Sequence, residues 1–172
     1  ETPDDTWFTH TIERSEGLRR VHTVAGRLHP ARTVLNGRFS IEERHFAALV
    51  HHSPFVPAAQ QPLFALGFAR FFQGDFMSSA HLLIPQLEPS LRYVLQQHGH
   101  DPSKRRPDST EEDLSLSRMF NRKRAQLDKL LGRDLASEVD RLFNLRPGPA
   151  LRHEMAHGQL SAGACYSETV YY

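Results

Sequence analysis

The stretch Asp75-Phe-Met-Ser-Ser-Ala-His-Leu-Leu-Ile-Pro-Gln-Leu-Glu-Pro-Ser-Leu-Arg-Tyr-Val-Leu-Gln-Gln97 decides the fold class of this chain. Its apolar positions are Phe76, Ala80, Leu83, Ile84, Leu87, Leu91, Val94 and Leu95. They recur at steps of three, four or one, the signature of a single helical stripe. Asp75 supplies a carboxylate to cap the first turn, and Gly74 closes the helix before it, Pro62–Phe72. The two helices read as an antiparallel hairpin with almost no loop. Pro85 lacks an N–H for the His81 carbonyl, so a bend is expected there.

Working outward, the same periodicity continues. Leu116–Leu131 reads as a helix ending at Gly132, and Asp134 as the cap of a helix over Leu135–Asn144. Pro147-Gly148-Pro149 resets the chain, with Pro149 opening a short helix through His157 that Gly158 stops. His100–Ser109 mixes Pro, Asp and the basic run Lys104-Arg105-Arg106, and reads as an exposed loop. Upstream, Ser40-Ile-Glu-Glu43 has the form of a capping box opening a helix to about His52, ended by Pro54 and Pro57. Asn36-Gly37 is flanked by runs too short to carry a sheet. The expectation is an all-α helical bundle, with an N-terminal helical extension over residues 1–60 and the main helical domain over 61–172.

Composition narrows the function classes. Among 172 residues, 39% are apolar and 24% charged, with a formal net charge of +1. That is ordinary for a globular protein and supplies no whole-molecule basic field, so any nucleic-acid binding rests on local patches. The single cysteine, Cys165, rules out an internal disulfide and suits a reducing, cytoplasmic setting; it reads as a small apolar filler. No apolar run approaches the roughly 18 residues of a membrane span.

The segment Leu151-Arg152-His153-Glu154-Met155-Ala156-His157-Gly158 carries the sharpest chemistry, and it reads two ways. As His-Glu-x-x-His, His153 and His157 at i and i+4 would share a zinc ion, with Glu154 polarising the bound water. Arg152 sets a fixed cation beside the first ligand, however. Gly163 also stands where a third His would follow, and Glu168 is the sole downstream carboxylate. No metal or other cofactor is therefore expected. As Arg-x-x-x-x-His-Gly, Arg152 offers a permanent cation with a donor fork for a phosphodiester, and His157 a proton acceptor and donor near neutral pH. Metal-free RNA cleavage needs both functions. On an ideal helix the two side chains diverge by about 140°, so a composite site across a two-fold axis is one way to bring them together.

Residues Pro62 to Leu160 resemble the domain-of-unknown-function 4209 family, a branch of the HEPN superfamily (higher eukaryotes and prokaryotes nucleotide-binding). That family carries Arg-Asn-x-x-x-His-Gly after a Leu, matched by Leu151, Arg152, His157 and Gly158, with His153 in the place of Asn. Upstream it carries Gly-Asp and a helix of the type His-Leu-Leu-x-Pro-Gln-x-Glu-x-x-x-Arg. Here that pattern runs from Gly74-Asp75 through His81, Pro85 and Glu88 to Arg92. The resemblance implies a HEPN-like bundle, a homodimer, and metal-independent endoribonuclease activity on RNA. It also implies Arg152 and His157 as catalytic residues with His153 assisting, and leaves room for a regulatory domain or partner protein. Non-catalytic relatives that bind RNA or protein are the alternative, and a zinc hydrolase through His153, Glu154 and His157 the third.

Three further groups carry expectations. His81, Glu88 and Arg92, at i, i+7 and i+11, fall within about 40° on an unbroken helix. They read either as a structural polar seam or as a second layer positioning Arg152 or His157. Arg122, Lys123 and Arg124 are candidates to track an RNA backbone, or else a solvated basic face. His45, His51 and His52 read as surface imidazoles, and Phe64, Phe68, Phe71 and Phe72 as core packing.

Overall fold

The computed structural model describes residues 5–105, 111–145 and 148–172, and helices dominate them. Helix α1 (Asp5–Thr23) passes without a break through a π turn at Val24–Leu28 into α2 (His29–Arg38). The π turn has a local cause. Pro30 has no N–H to give the carbonyl four residues back, and the His29 N–H reaches Val24 O five residues back instead. Helix α3 (Arg44–His51) follows. The expected capping box at Ser40 is not formed: the helix starts later, where His45 Nδ1 accepts from the Glu42 N–H at 3.0 Å.

Helices α4 (Gln61–Gln73) and α5 (Phe76–Leu83) make the expected hairpin. Gly74 takes the left-handed conformation (φ 87°), and the Asp75 N–H closes the turn on Arg70 O at 2.9 Å. Asp75 accepts from the Ser78 N–H at 3.1 Å, capping α5. The two helices touch where Gly67 faces Leu83. A Cβ added at Gly67 would lie 2.5 Å from a Leu83 methyl. At Pro85 the helix tightens into one 3-10 turn (Ile84–Gln86) and resumes as α6 (Leu87–Gln97).

The next segment departs from the expected exposed loop. Strands β1 (Ser103–Arg105) and β2 (Glu111–Asp113) pair antiparallel, with Ser103 opposite Asp113. Pro102 is fully buried at the base of this ribbon, its carbonyl accepting from the Leu114 N–H at 2.9 Å. The Arg106–Ser109 part of the expected loop lies outside the described residues.

The predicted helix over Leu116–Leu131 is two helices, α7 (Leu116–Arg122) and α8 (Arg124–Leu131), parted at Lys123 (φ −120°, ψ 20°). The turn lays α8 against α9 (Arg133–Phe143). Gly132, not Asp134, occupies the cap position of α9; Asp134 sits in its first turn, where a carboxylate meets the positive helix end. Short helices α10 (Leu151–Ala156) and α11 (Glu168–Tyr171) complete the chain.

Three apolar clusters hold these elements together. Leu91, Leu95, Met119 and Leu127, each essentially inaccessible, join α6, α7 and α8. Truncating such a leucine to alanine costs about 2–5 kcal/mol. Ala80, Ile84, Leu142, Leu151 and Cys165 join α5, α9 and α10, and Val50, Val56, Phe64 and Ala65 join α3 to α4. Burial raises the Cys165 thiol pKa above its ordinary value, in keeping with a filler role. Among the described residues no helix is long and apolar enough to cross a membrane.

Helix α1 is amphipathic in the inverted sense. Its inner side bears Glu13, Glu16 and Arg20, and fully buried Arg20 pairs with Glu138 Oε1 at 3.0 Å. Trp7 and Leu18, on the opposite side of the helix at about 100° per residue, are 57% and 56% exposed.

Candidate active site

Helix α10 begins at a backbone irregularity. Ala150 adopts a left-handed conformation (φ 46°, ψ 42°), a cost of about 1–2 kcal/mol for a residue with a Cβ. The His153 and Glu154 N–H groups both return to its carbonyl, at 2.8 and 3.1 Å. Ala150 is buried, and Gly148 before it packs so closely that a Cβ there would lie 2.5 Å from Arg141 O. This packing, not Pro149, sets the start of the helix, two residues after the expected position; Arg146 and Pro147 lie outside the described residues. The stop is as expected. Gly158 is left-handed (φ 66°), and the Gln159 N–H donates to Glu154 O at 2.8 Å. The glycine that follows His157 therefore has a backbone reason to be there.

Between these ends, Arg152 and the histidines go separate ways. Arg152 Nη2 lies 2.9 Å from Glu88 Oε2. Glu88 Oε1 accepts from Arg92 Nη1 at 2.8 Å, and Oε2 also accepts from the Leu116 N–H at 3.1 Å. Arg92 Nη1 donates in addition to Leu114 O at 3.0 Å, and its Nε lies 3.6 Å from Asp113 Oδ2. One largely buried carboxylate thus serves two guanidinium groups and a helix N-terminus. Beside it opens a crevice of about 400 Å³, walled by Pro85, Glu88, Arg92, Arg152 and Met155 among others. Arg152 remains 38% exposed at its mouth.

His153 and His157 turn to each other instead, with ring centroids 4.2 Å apart. His157 is solvent-exposed at the C-terminal cap of α10, and neither ring lines the Arg152 crevice. The same short helix thus carries a guanidinium held at the crevice and an imidazole pair whose rings face each other outside it. Among the described residues no group of three or more His, Cys, Asp or Glu is placed to hold a metal ion.

The remaining candidates divide. Glu88 and Arg92 reach the Arg152 site; His81 does not. Three residues of 3-10 helix advance about 120° each instead of 100°, which rotates α6 relative to α5 by about 60°. His81 is left exposed, its Nδ1 2.8 Å from Met77 O. Arg124 is engaged within the chain, 2.7 Å from Asp128, 3.4 Å from Asp140 and 2.5 Å from Ser137 Oγ. Arg122 is exposed at the end of α7, and Lys123 forms the break between α7 and α8. The Leu114 carbonyl and Leu116 N–H complete the site from the backbone, which carries no side-chain signal in the sequence.

Family models, curated proteins and solved structures were each compared with the chain, and none matches.

Proposed function

We propose that this chain is a metal-independent endoribonuclease of the HEPN type, acting as a homodimer. The observation that carries the reading is the division of labour on α10: a half-exposed guanidinium held by Glu88, and the half-buried His153 ring set against His157, which is exposed at the helix end. In this reaction the Arg152 guanidinium stabilises charge on the phosphorane. His157 transfers the proton, either from the attacking 2′-hydroxyl or to the departing 5′-oxygen, and His153 orients the His157 ring. Because the two functions diverge within one subunit, the composite site takes Arg152 from one copy and His157 from the other. The outward apolar side of α1 supports an assembly of this kind, since an exposed Trp and Leu are surfaces that association covers. Exposed Arg122 is the member of the 122–124 run that remains available to RNA.

The second reading is a non-catalytic RNA- or protein-binding module. Glu88 favours it, because an Arg152 tied to a carboxylate already has a structural use. The deciding experiment incubates wild type, Arg152→Ala and His157→Ala with mixed RNA in chelator, beside a sizing measurement. The nuclease reading expects cleavage by wild type and at least a hundredfold loss in each variant. Both variants should keep the wild-type circular dichroism spectrum and dimer size. RNA binding without cleavage by wild type selects the second reading.

A further inference from the structure

An apolar cavity of about 440 Å³, open to solvent on one side, lies against α4 and α5. Helix α4 presents Phe64, Phe68, Phe71 and Phe72 to it, α5 adds Phe76 and Leu83, and the chain after Ser167 closes another side. No charged side chain lines it among the described residues. The tyrosine hydroxyls at its wall are already engaged: Tyr171 Oη accepts from Arg32 Nε and Tyr172 Oη from Arg19 Nη1, both at 2.8 Å. Phe68, Phe71 and Phe72 stay only half-buried, although they belong to a chain of ring contacts from Phe46 to Tyr171.

Protein interiors pack at crystal density and leave few voids larger than a water molecule. An open apolar pocket of this size leaves its ring faces to water and forfeits the dispersion contacts that an occupant would supply. Water compensates poorly, because a stable buried water needs two to four polar partners. The volume is in the range of small-molecule pockets, about 300–1,000 Å³. It corresponds to roughly one turn of a helix of 10 Å diameter, too little for the helix of a partner protein. From these facts we infer that the cavity is a binding site for a neutral, hydrocarbon-rich small molecule. Phe64, Phe68, Phe71 and Phe76 form its aromatic wall, and Ser79 and Thr169 are the polar side chains within reach of a single hydroxyl or carbonyl. Arg32, behind the Phe76 and Tyr171 rings, is engaged by Tyr171 Oη and the Phe72 carbonyl, so among the described residues no lining side chain offers a cation to a phosphate or carboxylate headgroup.

The test uses the neutral probe N-phenyl-1-naphthylamine, which brightens in apolar surroundings, with dodecan-1-ol as competitor. The expected result is saturable binding of one probe per chain, reversed by the alcohol. Ala80→Phe, which projects a ring into the cavity, should raise the half-saturating concentration at least tenfold. The double variant Trp7→Ser/Leu18→Ser, which removes the exposed apolar side of α1, should bind as wild type does. A Phe68→Trp variant in a Trp7→Phe background gives a reporter that needs no filled cavity. Its emission should be quenched with the same half-saturation as the probe signal. Non-saturable brightening, loss of binding in the α1 variant, or an unquenched Trp at position 68 would overturn the assignment.

Discussion

Arg152 Nη2 lies 2.9 Å from Glu88 Oε2, and this contact ties the first turn of α10 to the first turn of α6. Glu88 also accepts from Arg92 and from the Leu116 N–H, so three elements converge on one carboxylate. Its position in the first turn of α6 adds a favourable interaction with the positive end of that helix.

A consequence is that the two partners of this contact are unequal in stability. Glu88→Ala takes the shared carboxylate from two guanidinium groups and a backbone N–H, of which Arg92 keeps Leu114 O and Asp113, and should cost about 2–3 kcal/mol. Arg152→Ala removes a half-exposed cation from a carboxylate that keeps its other two donors, and should cost about 1 kcal/mol or less. Urea unfolding of both variants reads the difference. Equal losses would mean that Glu88 does not organise the three elements.

Asp75 gives a prediction with a pH signature. Hydrogen bonds from the Ser78 side chain, and then from its N–H, hold the Asp75 carboxyl below the usual carboxylate range. Asp75→Ala should cost about 1 kcal/mol near neutral pH, the usual value of a helix cap. A carboxyl depressed in the folded state stabilises the fold above its unfolded pKa, about 3.9. That stabilisation fades as pH falls through the folded value. The gap between wild type and Asp75→Ala should therefore shrink steadily in acid, whereas Asp75→Asn should keep much of the cap with little pH dependence. Urea midpoints at pH 7 and about pH 2–3 measure this. A gap that is unchanged in acid would show that the capping bond does not depend on the charge.

The elements that the sequence reading located correctly are those whose cause is local. Gly74 and Asp75 mark the α4–α5 turn by their own chemistry, and Pro85 breaks the helix because it lacks an N–H. The long helix through α1 and α2 was legible only as a helical extension. In α1 the inner side is charged and apolar residues such as Trp7 and Leu18 point outward, so periodicity marks the wrong face as the core. In the candidate site, the kinship of Glu88 and Arg92 was visible as an i, i+4 pair. Their meeting with Arg152 was not, because it depends on how α10 packs against the 3-10 turn. The same turn removes His81 from the expected group, a rotation that ideal-helix spacing does not contain.

On the proposed nuclease reading, Arg152 contributes to RNA binding as well as to cleavage, whereas His157 acts in cleavage alone. A guanidinium that contacts a phosphate displaces condensed counterions, and each such contact steepens the fall of log K with log salt by roughly 0.7 on a single strand. Arg152→Ala should therefore reduce that slope by about 0.7–1 and weaken binding to all sequences alike. His157 has no permanent cation of the guanidinium kind to set against a phosphate. His157→Ala should leave the slope close to its wild-type value while cleavage is lost. Fluorescence anisotropy of a labelled single strand across a salt series, with cleavage followed in parallel, gives both readouts. Equal slopes in wild type and Arg152→Ala would place Arg152 away from phosphate. It would then remain what its contact with Glu88 already makes it, a strut between α6 and α10.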